Sequence, residues 1–149
     1  MIPTALTGRT ALVIGAGAAV ADALRRAGAS VVRRDLAEPV VLRRLVEQLL
    51  GAFGRLDLAV NQAGGDGVFL AMRYEIAAMR RTGGGRIVNV APDAEIVERT
   101  RAAAVELAGS GVRISAVAAG PGDSAEDVAE AVLRLCSAPV SAGGAGRRR

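Results

Sequence analysis

Few side chains in this sequence could transfer a proton. Its 149 residues contain no histidine and no lysine, so all 19 basic residues are arginines, which stay protonated at any relevant pH. Tyr74, Cys136 and the carboxylates are the groups left for general acid and base chemistry. One cysteine without histidine also excludes a metal site built from those ligands. We therefore expect no metal.

A glycine-containing turn follows the first apolar run. Residues 10–14 are typical of a buried strand, Gly15 and Gly17 come directly after it, and a helical pattern begins at Ala18. The first amides of a helix have no acceptor within the helix, and together with the helix dipole they attract phosphate. A tight strand-to-helix turn without a ligand explains the same residues. The two interpretations stay open at this point.

Polar residues or glycines also follow the later apolar runs. Asp35 follows the second run. Asn61, Ala63 and Gly64 close the third, and Gly120 follows the last. Turn and cap chemistry is a sufficient explanation for each of them when the residues are taken alone.

The hydrophobic pattern predicts alternating strands and helices. The predicted strands are residues 10–14, 30–33, 56–61, 86–90 and 112–118. The predicted helices are residues 18–27, 39–53, 68–81, 94–108 and 125–135, the last of them capped by Ser124. The second helix is expected to bury Val41, Leu45, Leu49 and Phe53. Apolar strands alternating with such helices indicate an α/β fold with a doubly wound parallel sheet of about five strands.

Several segments resemble the short-chain dehydrogenases/reductases, and they occur in the family's order. Residues 8–17 resemble the family's opening strand and phosphate turn, and residues 53–64 resemble the approach to its Asn-Asn-Ala-Gly motif, with Gln62 for the second Asn. Residues 67–74 resemble its interface helix, and residues 85–90 the strand that leads to its catalytic serine. Further similar segments are residues 100–108, 112–120 and 126–133.

This resemblance implies a Rossmann-like, NAD(P)-binding domain of oxidoreductase descent over residues 1–137, followed by a flexible tail over 138–149. It implies that the cofactor is held by Gly15, Gly17, Asp35, Asn61, Ala63, Gly64 and Gly120. Asp35 would contact adenine or ribose, and Gly120 would lie near nicotinamide. Two family glycines of the phosphate turn are replaced by Ala19 and Ala21. We therefore expect weak or vestigial binding of NAD or NADP.

The catalytic side chains of the family have no counterpart in this sequence. Pro92 takes the place of the serine, and neither residue of the Tyr-x-x-x-Lys segment is present. The spacing predicts internal gaps around residues 30–33, after Gly65 and after Val90. Tyr74 lies on a predicted helix, where packing explains it better than catalysis does. We expect a shortened family member with no catalytic residue and with weak or no hydride transfer.

Two other functions remain open. One is a non-catalytic scaffold or partner-binding protein, and the other is a non-redox enzyme that uses carboxylates such as Asp93 or Asp123. In the family, helices equivalent to 68–81 and 94–108 pair across a dimer interface, and the first of these is apolar around most of its surface. The resemblance therefore implies a homo-oligomer through these helices. An intact family member is a second candidate partner.

The apolar runs are too short to span a bilayer, and the chain shows no leader pattern, so we expect a soluble, cytoplasmic protein. The terminal arginines 147–149 follow a stretch rich in glycine and alanine. No aromatic residues alternate with them to stack bases, which argues against a nucleic-acid site. Cys136, at the end of an apolar helix, is expected to be a buried and unreactive thiol.

Overall fold

A computed structural model of the chain describes residues 5–15, 17–35, 39–62 and 66–138. The strands in these residues are β1 (Thr10–Ile14), β2 (Ser30–Arg34), β3 (Leu58–Asn61), β4 (Gly85–Ala91) and β5 (Val112–Ala118). The helices are α1 (Ala18–Arg26), α2 (Pro39–Phe53), α3 (Asp66–Arg81), α4 (Ala94–Glu106) and α5 (Ala125–Ser137). Ala63, Gly64 and the part of the predicted tail beyond Ala138 lie outside the described residues.

All five strands form one parallel sheet in the order β2-β1-β3-β4-β5. The predicted fold class, an α/β doubly wound sheet, is therefore confirmed. The chain first moves from β1 to β2 on one side and then places β3 on the other side of β1. This change of direction creates a topological switch point between β1 and β3, and α/β proteins bind ligands at the carboxyl ends of the strands there.

Helices cover both faces of the sheet. The α1/α5 layer packs Leu24 and Val132 against strand residues such as Val60 and Val88. The α2/α3/α4 layer packs apolar residues of its three helices against the opposite face, where the strands contribute Leu12, Ile14, Ala59, Ile87, Val112 and Ile114. Both layers consist mainly of small aliphatic side chains, as the composition requires.

The predicted buried face of α2 is partly wrong. Leu45 and Leu49 are buried, but Val41 is 52% exposed and Phe53 is 46% exposed. A residue every fourth position drifts by about 40° per step around a helix of 3.6 residues per turn, so the ends of such a stripe leave the core. Leu42 and Val46 complete the buried face instead.

Most other boundaries lie within two residues of the predicted ones. β3 begins at Leu58 rather than at residue 56. The preceding residue, Asp57, is hydrogen-bonded to the first residue of β1. The Asp57 amide donates to the Thr10 carbonyl oxygen over 2.9 Å, and the Asp57 carboxylate accepts a hydrogen bond from the Thr10 amide over 2.8 Å. The predicted cap of the last helix is confirmed, because the Ser124 hydroxyl accepts the amide of Asp127 over 3.0 Å.

Candidate functional site

The turn between β1 and α1 begins with a backbone that favours glycine. Gly15 has a φ of 74°, a conformation that a side chain would strain, and its amide donates to the carbonyl oxygen of Arg34 over 2.8 Å. Gly17 is the N-cap residue of α1, and no side chain caps the helix there. The first turn of α1 also lacks an acidic residue. Its first amides are therefore not engaged by a capping side chain among the described residues and can donate hydrogen bonds to an anion.

Asp35 lies at the same edge of the sheet. It follows directly after β2, and the bond between Gly15 and Arg34 ties this strand end to the turn after β1. The Asp35 side chain is 98% exposed, and its Oδ1 lies 4.0 Å from Nη1 of Arg33. The structure thus places Gly15, Gly17 and Asp35 around the carboxyl ends of two neighbouring strands.

Asn61 closes β3 at this edge, but its side chain faces the protein interior. It is fully buried, and its Nδ2 donates to Oε1 of Glu75 over 2.7 Å and to Oδ1 of Asn89 over 3.3 Å. The Asn61 side chain therefore presents no surface to a ligand in this structure. Asn61 is the last residue of β3. The end of this strand is held to β1, because the amide of Gln62 donates to the Ile14 carbonyl oxygen over 2.8 Å.

A buried polar network extends from Asn61 into α3 and α4. Asn89 of β4 donates through Nδ2 to the Thr100 hydroxyl over 3.1 Å and contacts the Met72 sulfur at 3.2 Å. The Thr100 hydroxyl in turn donates to the Ile96 carbonyl oxygen over 2.7 Å. These bonds join β3, β4, α3 and α4 within the α2/α3/α4 layer.

Glu75 is the ionisable member of this network. Burial raises the pKa of its carboxyl to about 7, although the hydrogen bond from Asn61 acts in the opposite direction. Glu75 Oε2 and Asn61 Oδ1 are buried atoms that lack a hydrogen-bond partner among the described residues. Both are acceptors when Glu75 is ionised, and a proton on Glu75 supplies a donor. The neutral acid therefore suits its surroundings better than the carboxylate does.

Sequence reasoning missed this network. A helical wheel could have found Glu75, because it shares the buried face of α3 with Val68, Met72 and Met79 at spacings of three and four residues. Asn89 gave a second signal as the one polar residue of Ile87-Val88-Asn89-Val90. A polar residue on each of two buried surfaces indicates a contact between them, since buried polar groups are almost always hydrogen-bonded.

The carboxyl ends of β4 and β5 border a cavity of about 420 Å³. Gly120, Pro92 and Asp93 line it. The Gly120 amide donates to Oδ2 of Asp123 over 2.7 Å, and Asp93 accepts the amide of Ile96 over 3.0 Å as the N-cap of α4. Both aspartates proposed for a non-redox enzyme therefore serve a turn or a cap. No hydroxyl or amine side chain lies among the described residues that line this cavity.

The alanines of the phosphate turn differ in position. Ala21 is fully buried, and Ala19 is half-buried against the α1/α5 layer. The Ala21 methyl therefore lies within the protein, whereas part of Ala19 remains at the surface of the turn. Tyr74 is half-buried and packs in the α2/α3/α4 layer. That position agrees with the expected packing role.

No protein-family model matches the chain, but individual proteins and solved structures resemble it. A 2,5-dichloro-2,5-cyclohexadiene-1,4-diol dehydrogenase of Sphingobium indicum is 33% identical over 156 aligned positions, which take in 71% of this chain and 62% of that protein. The chain thus spans less than two thirds of the length of the curated relatives it matches.

Solved structures match more of the chain. A short-chain dehydrogenase/reductase from Burkholderia xenovorans has a TM-score of 0.82 at 21% identity, with 89% of this chain and 90% of that chain covered. The chain has the fold of the short-chain dehydrogenases/reductases. A 3-ketoacyl-(acyl-carrier-protein) reductase from Brucella melitensis, solved with NADH, has a TM-score of 0.79 at 23% identity and covers 89% of this chain and 92% of its own.

In this fold the carboxyl ends of all the parallel strands lie at one edge of the sheet, which is why Gly15, Gly17, Asp35 and Gly120 are found there. Among the described residues, no group of three or more histidine, cysteine or acidic side chains could hold a metal ion. Within the same part of the chain, every helix is too short or too polar to cross a bilayer.

Proposed function

We propose that this domain binds NAD(H) or NADP(H) weakly at the carboxyl edge of its sheet and does not transfer a hydride. The observation that carries the proposal is the turn of Gly15 and Gly17, which delivers the uncapped N-terminus of α1 next to the switch point between β1 and β3. The relatives include a cyclohexanol dehydrogenase and a diol dehydrogenase, and one structural neighbour was solved with NADH.

The residues at this edge fit a dinucleotide in part. Among the described residues, nothing lies within 4 Å of a Cβ atom placed at Gly17, so these residues leave room for a phosphate above the first amides of α1. Asp35 is exposed and could accept a hydrogen bond from a ribose or adenine group. The half-buried Ala19 is the remaining obstacle, because its methyl takes space where the family has a glycine.

When bound, the nicotinamide group would supply or accept a hydride. The chain would then have to add or remove a proton at the substrate oxygen, and the cavity at the ends of β4 and β5 is poorly equipped to do so. Asp93 is engaged as a cap, and Glu98 lies 3.0 Å from Nη1 of Arg101. Pro92 has no proton to give. Positioned proton donors typically contribute about 10²- to 10⁴-fold in rate, which would be lost here.

The alignment itself supports internal shortening. It contains 156 positions, more than the whole chain, yet takes in 71% of the 149 residues. It therefore includes many positions at which the relative has a residue and this chain has none. Such gaps are the expected result of losing the segments that carry the family's tyrosine and lysine.

A titration with NADH and NADPH, followed by fluorescence, tests the proposal. We expect dissociation constants of about 0.1 mM or weaker, because crowding a phosphate by one methyl costs on the order of 1 to 3 kcal/mol and each 1.4 kcal/mol is a factor of ten. Ala19→Gly should tighten binding. Ala18→Gly makes the same change at an exposed neighbour on the same helix and should not.

Micromolar binding by the parent, or equal effects of the two glycine substitutions, contradicts the proposed phosphate site. A separate assay with alcohols and carbonyl compounds should show no cofactor turnover. Turnover that persists after repurification and falls on mutation of Tyr74 contradicts the proposed loss of hydride transfer.

We also propose that α3 and α4 form the face of a homodimer. Val105 on α4 is 76% exposed, and Phe69, Leu70 and Ile76 on α3 are only half-buried within one chain. The Arg99 guanidinium covers the Phe69 ring at 4.0 Å from its centroid. A second copy that packs on these helices would remove this apolar surface from water. This face also supports a scaffold as the second candidate function.

A further inference from the structure

The helix α3 carries a titratable group on its inner side and the proposed dimer face on its outer side. Glu75 is fully buried, whereas the next residue, Ile76, is half-buried and belongs to the apolar face that the second copy covers. A change of position or hydration at Glu75 therefore acts on a helix of the proposed interface.

The hydrogen bonds of the Glu75 carboxyl are incomplete. Its Oε1 accepts from Nδ2 of Asn61 over 2.7 Å, whereas its Oε2 has no hydrogen-bond partner among the described residues. Within the same part of the chain, Oδ1 of Asn61 is a second buried acceptor without a partner. An ionised Glu75 adds a charge to this site but no donor, so water or a shift of α3 has to satisfy its second oxygen.

The charged residues of the strands do not face Glu75. The strands β1 and β3 contain none. Arg86 of β4 donates to the Leu135 carbonyl oxygen of α5, in the opposite layer. On β5, Ile114 packs in the α2/α3/α4 layer, so the adjacent Arg113 starts from the other face of the sheet.

The helices around Glu75 offer no compensating charge in the part of the chain that the structure describes. Arg99 of α4 is half-buried, but its Nη1 lies 3.1 Å from Oδ1 of Asp66. The other charged side chains of α2, α3 and α4 are exposed. Tyr74 packs in the same layer but is not a cause of the shifted pKa of Glu75, which burial raises and the hydrogen bond from Asn61 lowers.

The network that begins at Glu75 also reaches α4. Asn61 donates to Oδ1 of Asn89 over 3.3 Å, and Asn89 donates to the Thr100 hydroxyl over 3.1 Å. Thr100 is buried on the inner side of α4, whereas Val105 of the same helix is exposed in the proposed face. Water that enters at Glu75 therefore disturbs hydrogen bonds that position both helices of this face.

We propose that the Glu75 carboxyl is a proton switch for the homodimer, which forms while this group is neutral and dissociates as the group ionises. The inference rests on the α3/α4 interface proposed above. Ionisation requires water or a shift of α3, and the second copy opposes both because it covers the outer sides of α3 and α4. The dimer therefore holds the two Glu75 protons more tightly than the separate chains do.

The dissociation constant of the dimer at pH 6 and pH 8, measured by analytical ultracentrifugation, tests the switch. The pKa of Glu75 in one chain is raised by burial to about 7. Dimer and separate chains are therefore both largely protonated at pH 6, whereas above pH 7 the separate chains release protons that the dimer retains. The dissociation constant should rise by about tenfold or more between pH 6 and pH 8.

Two variants identify the group responsible. Glu75→Gln keeps the shape of the side chain but cannot ionise, so its dimer should have the same dissociation constant at both pH values. Glu47→Gln removes an exposed carboxylate from α2, outside the proposed face, and should retain the full pH dependence of the parent.

Carbon-13 NMR of the Glu75 carboxyl gives a direct measurement that does not depend on how Glu75→Gln folds. Val105→Glu places a charge in the proposed face and supplies the monomer for comparison. The pKa of Glu75 should be higher in the parent dimer than in this variant.

The outcomes separate the switch from the interface. A parent that is monomeric at pH 6 and tens of micromolar contradicts the interface and the switch together. A parent dimer whose dissociation constant is equal at the two pH values, or a Glu75→Gln dimer that keeps the pH dependence, overturns the switch and leaves the interface standing. Equal Glu75 pKa values in dimer and monomer do the same. Dissociation into unfolded chains at pH 8, seen by circular dichroism, also overturns the switch, because it requires folded monomers.

Discussion

The two layers of this fold hold their helices to the sheet in different ways. The α1/α5 layer is a cluster of aliphatic side chains and one thiol, with Leu24 and Val132 fully buried. The α2/α3/α4 layer contains a comparable apolar cluster, but in addition a carboxyl, two carboxamides and a hydroxyl are buried in it. Among the described residues, the buried cluster of the first layer has no group whose pKa lies near neutrality, whereas the second contains Glu75, whose pKa is raised to about 7.

The largest expected effect is in the aliphatic layer. Leu24→Ala removes a fully buried side chain and should lower the free energy of unfolding by about 2 to 5 kcal/mol. Urea unfolding at pH 5 and pH 8 should give the same loss, because no titrating group changes its surroundings. A loss that differs between the two pH values by more than the error of the fits would show that the layers are coupled.

The polar layer should give a pH-dependent effect of about 3 kcal/mol. The pKa of Glu75 is raised from 4.5 to about 7, so between these values the folded chain holds a proton that the unfolded chain releases. Its contribution to stability is therefore complete below pH 4.5 and is lost as the pH rises to 7, at about 1.4 kcal/mol per pKa unit. The parent should unfold at lower urea concentration at pH 8 than at pH 5.

Glu75→Gln tests the cause. An amide keeps the shape, offers a donor at neutral pH and cannot ionise, so the variant should lose this pH dependence and exceed the parent in stability at pH 8. Leu24→Ala is the matched comparison, since it should retain the pH dependence of the parent. If Glu75→Gln keeps the full slope between pH 5 and pH 7, the titrating group lies elsewhere.

The smallest effect on folding is expected at the outer face of α4. Val105→Glu should leave the free energy of unfolding of one chain within about 0.5 kcal/mol, as exposed substitutions do, and yet convert a dimer into a monomer. Val41→Glu changes an equally apolar exposed residue on α2 and should leave the oligomer intact. Light scattering distinguishes these outcomes, and a parent that is monomeric at tens of micromolar contradicts the proposed interface.

Much of the fold could be predicted because each strand and helix has a local signal. The run 10–14 and the glycines that follow it define β1 and its turn, and the Ser124 cap defines the start of α5. The assignment of Gly15, Gly17, Asp35 and Gly120 to a cofactor site came from the family resemblance, and in the structure these four residues follow the ends of strands. Local periodicity was less informative for α2. Residues four apart do not stay on one side of a helix with 3.6 residues per turn, so Val41 and Phe53 at the two ends of the stripe are exposed.

The remaining features depend on contacts between distant parts of the chain. Asn61 was a candidate for binding, but its partner Glu75 is 14 residues away and on another element, so only the packing shows that its side chain is already engaged. The same is true of Arg86 and Arg113. Nothing in the sequence connects them, and only the register of β4 with β5 shows that they are neighbours.

The order of the strands also determines which strand edges are exposed to aggregation with other molecules. In the described sheet, the two outer strands are β2 and β5, and their main chains are therefore open to pairing with strands of other molecules. Exposed arginines lie on both, at positions 33, 34 and 113, while two of the three inner strands, β1 and β3, carry no charge. Like charges on both outer strands repel the edges of a second sheet. The same arginines thus protect the chain from edge-to-edge aggregation.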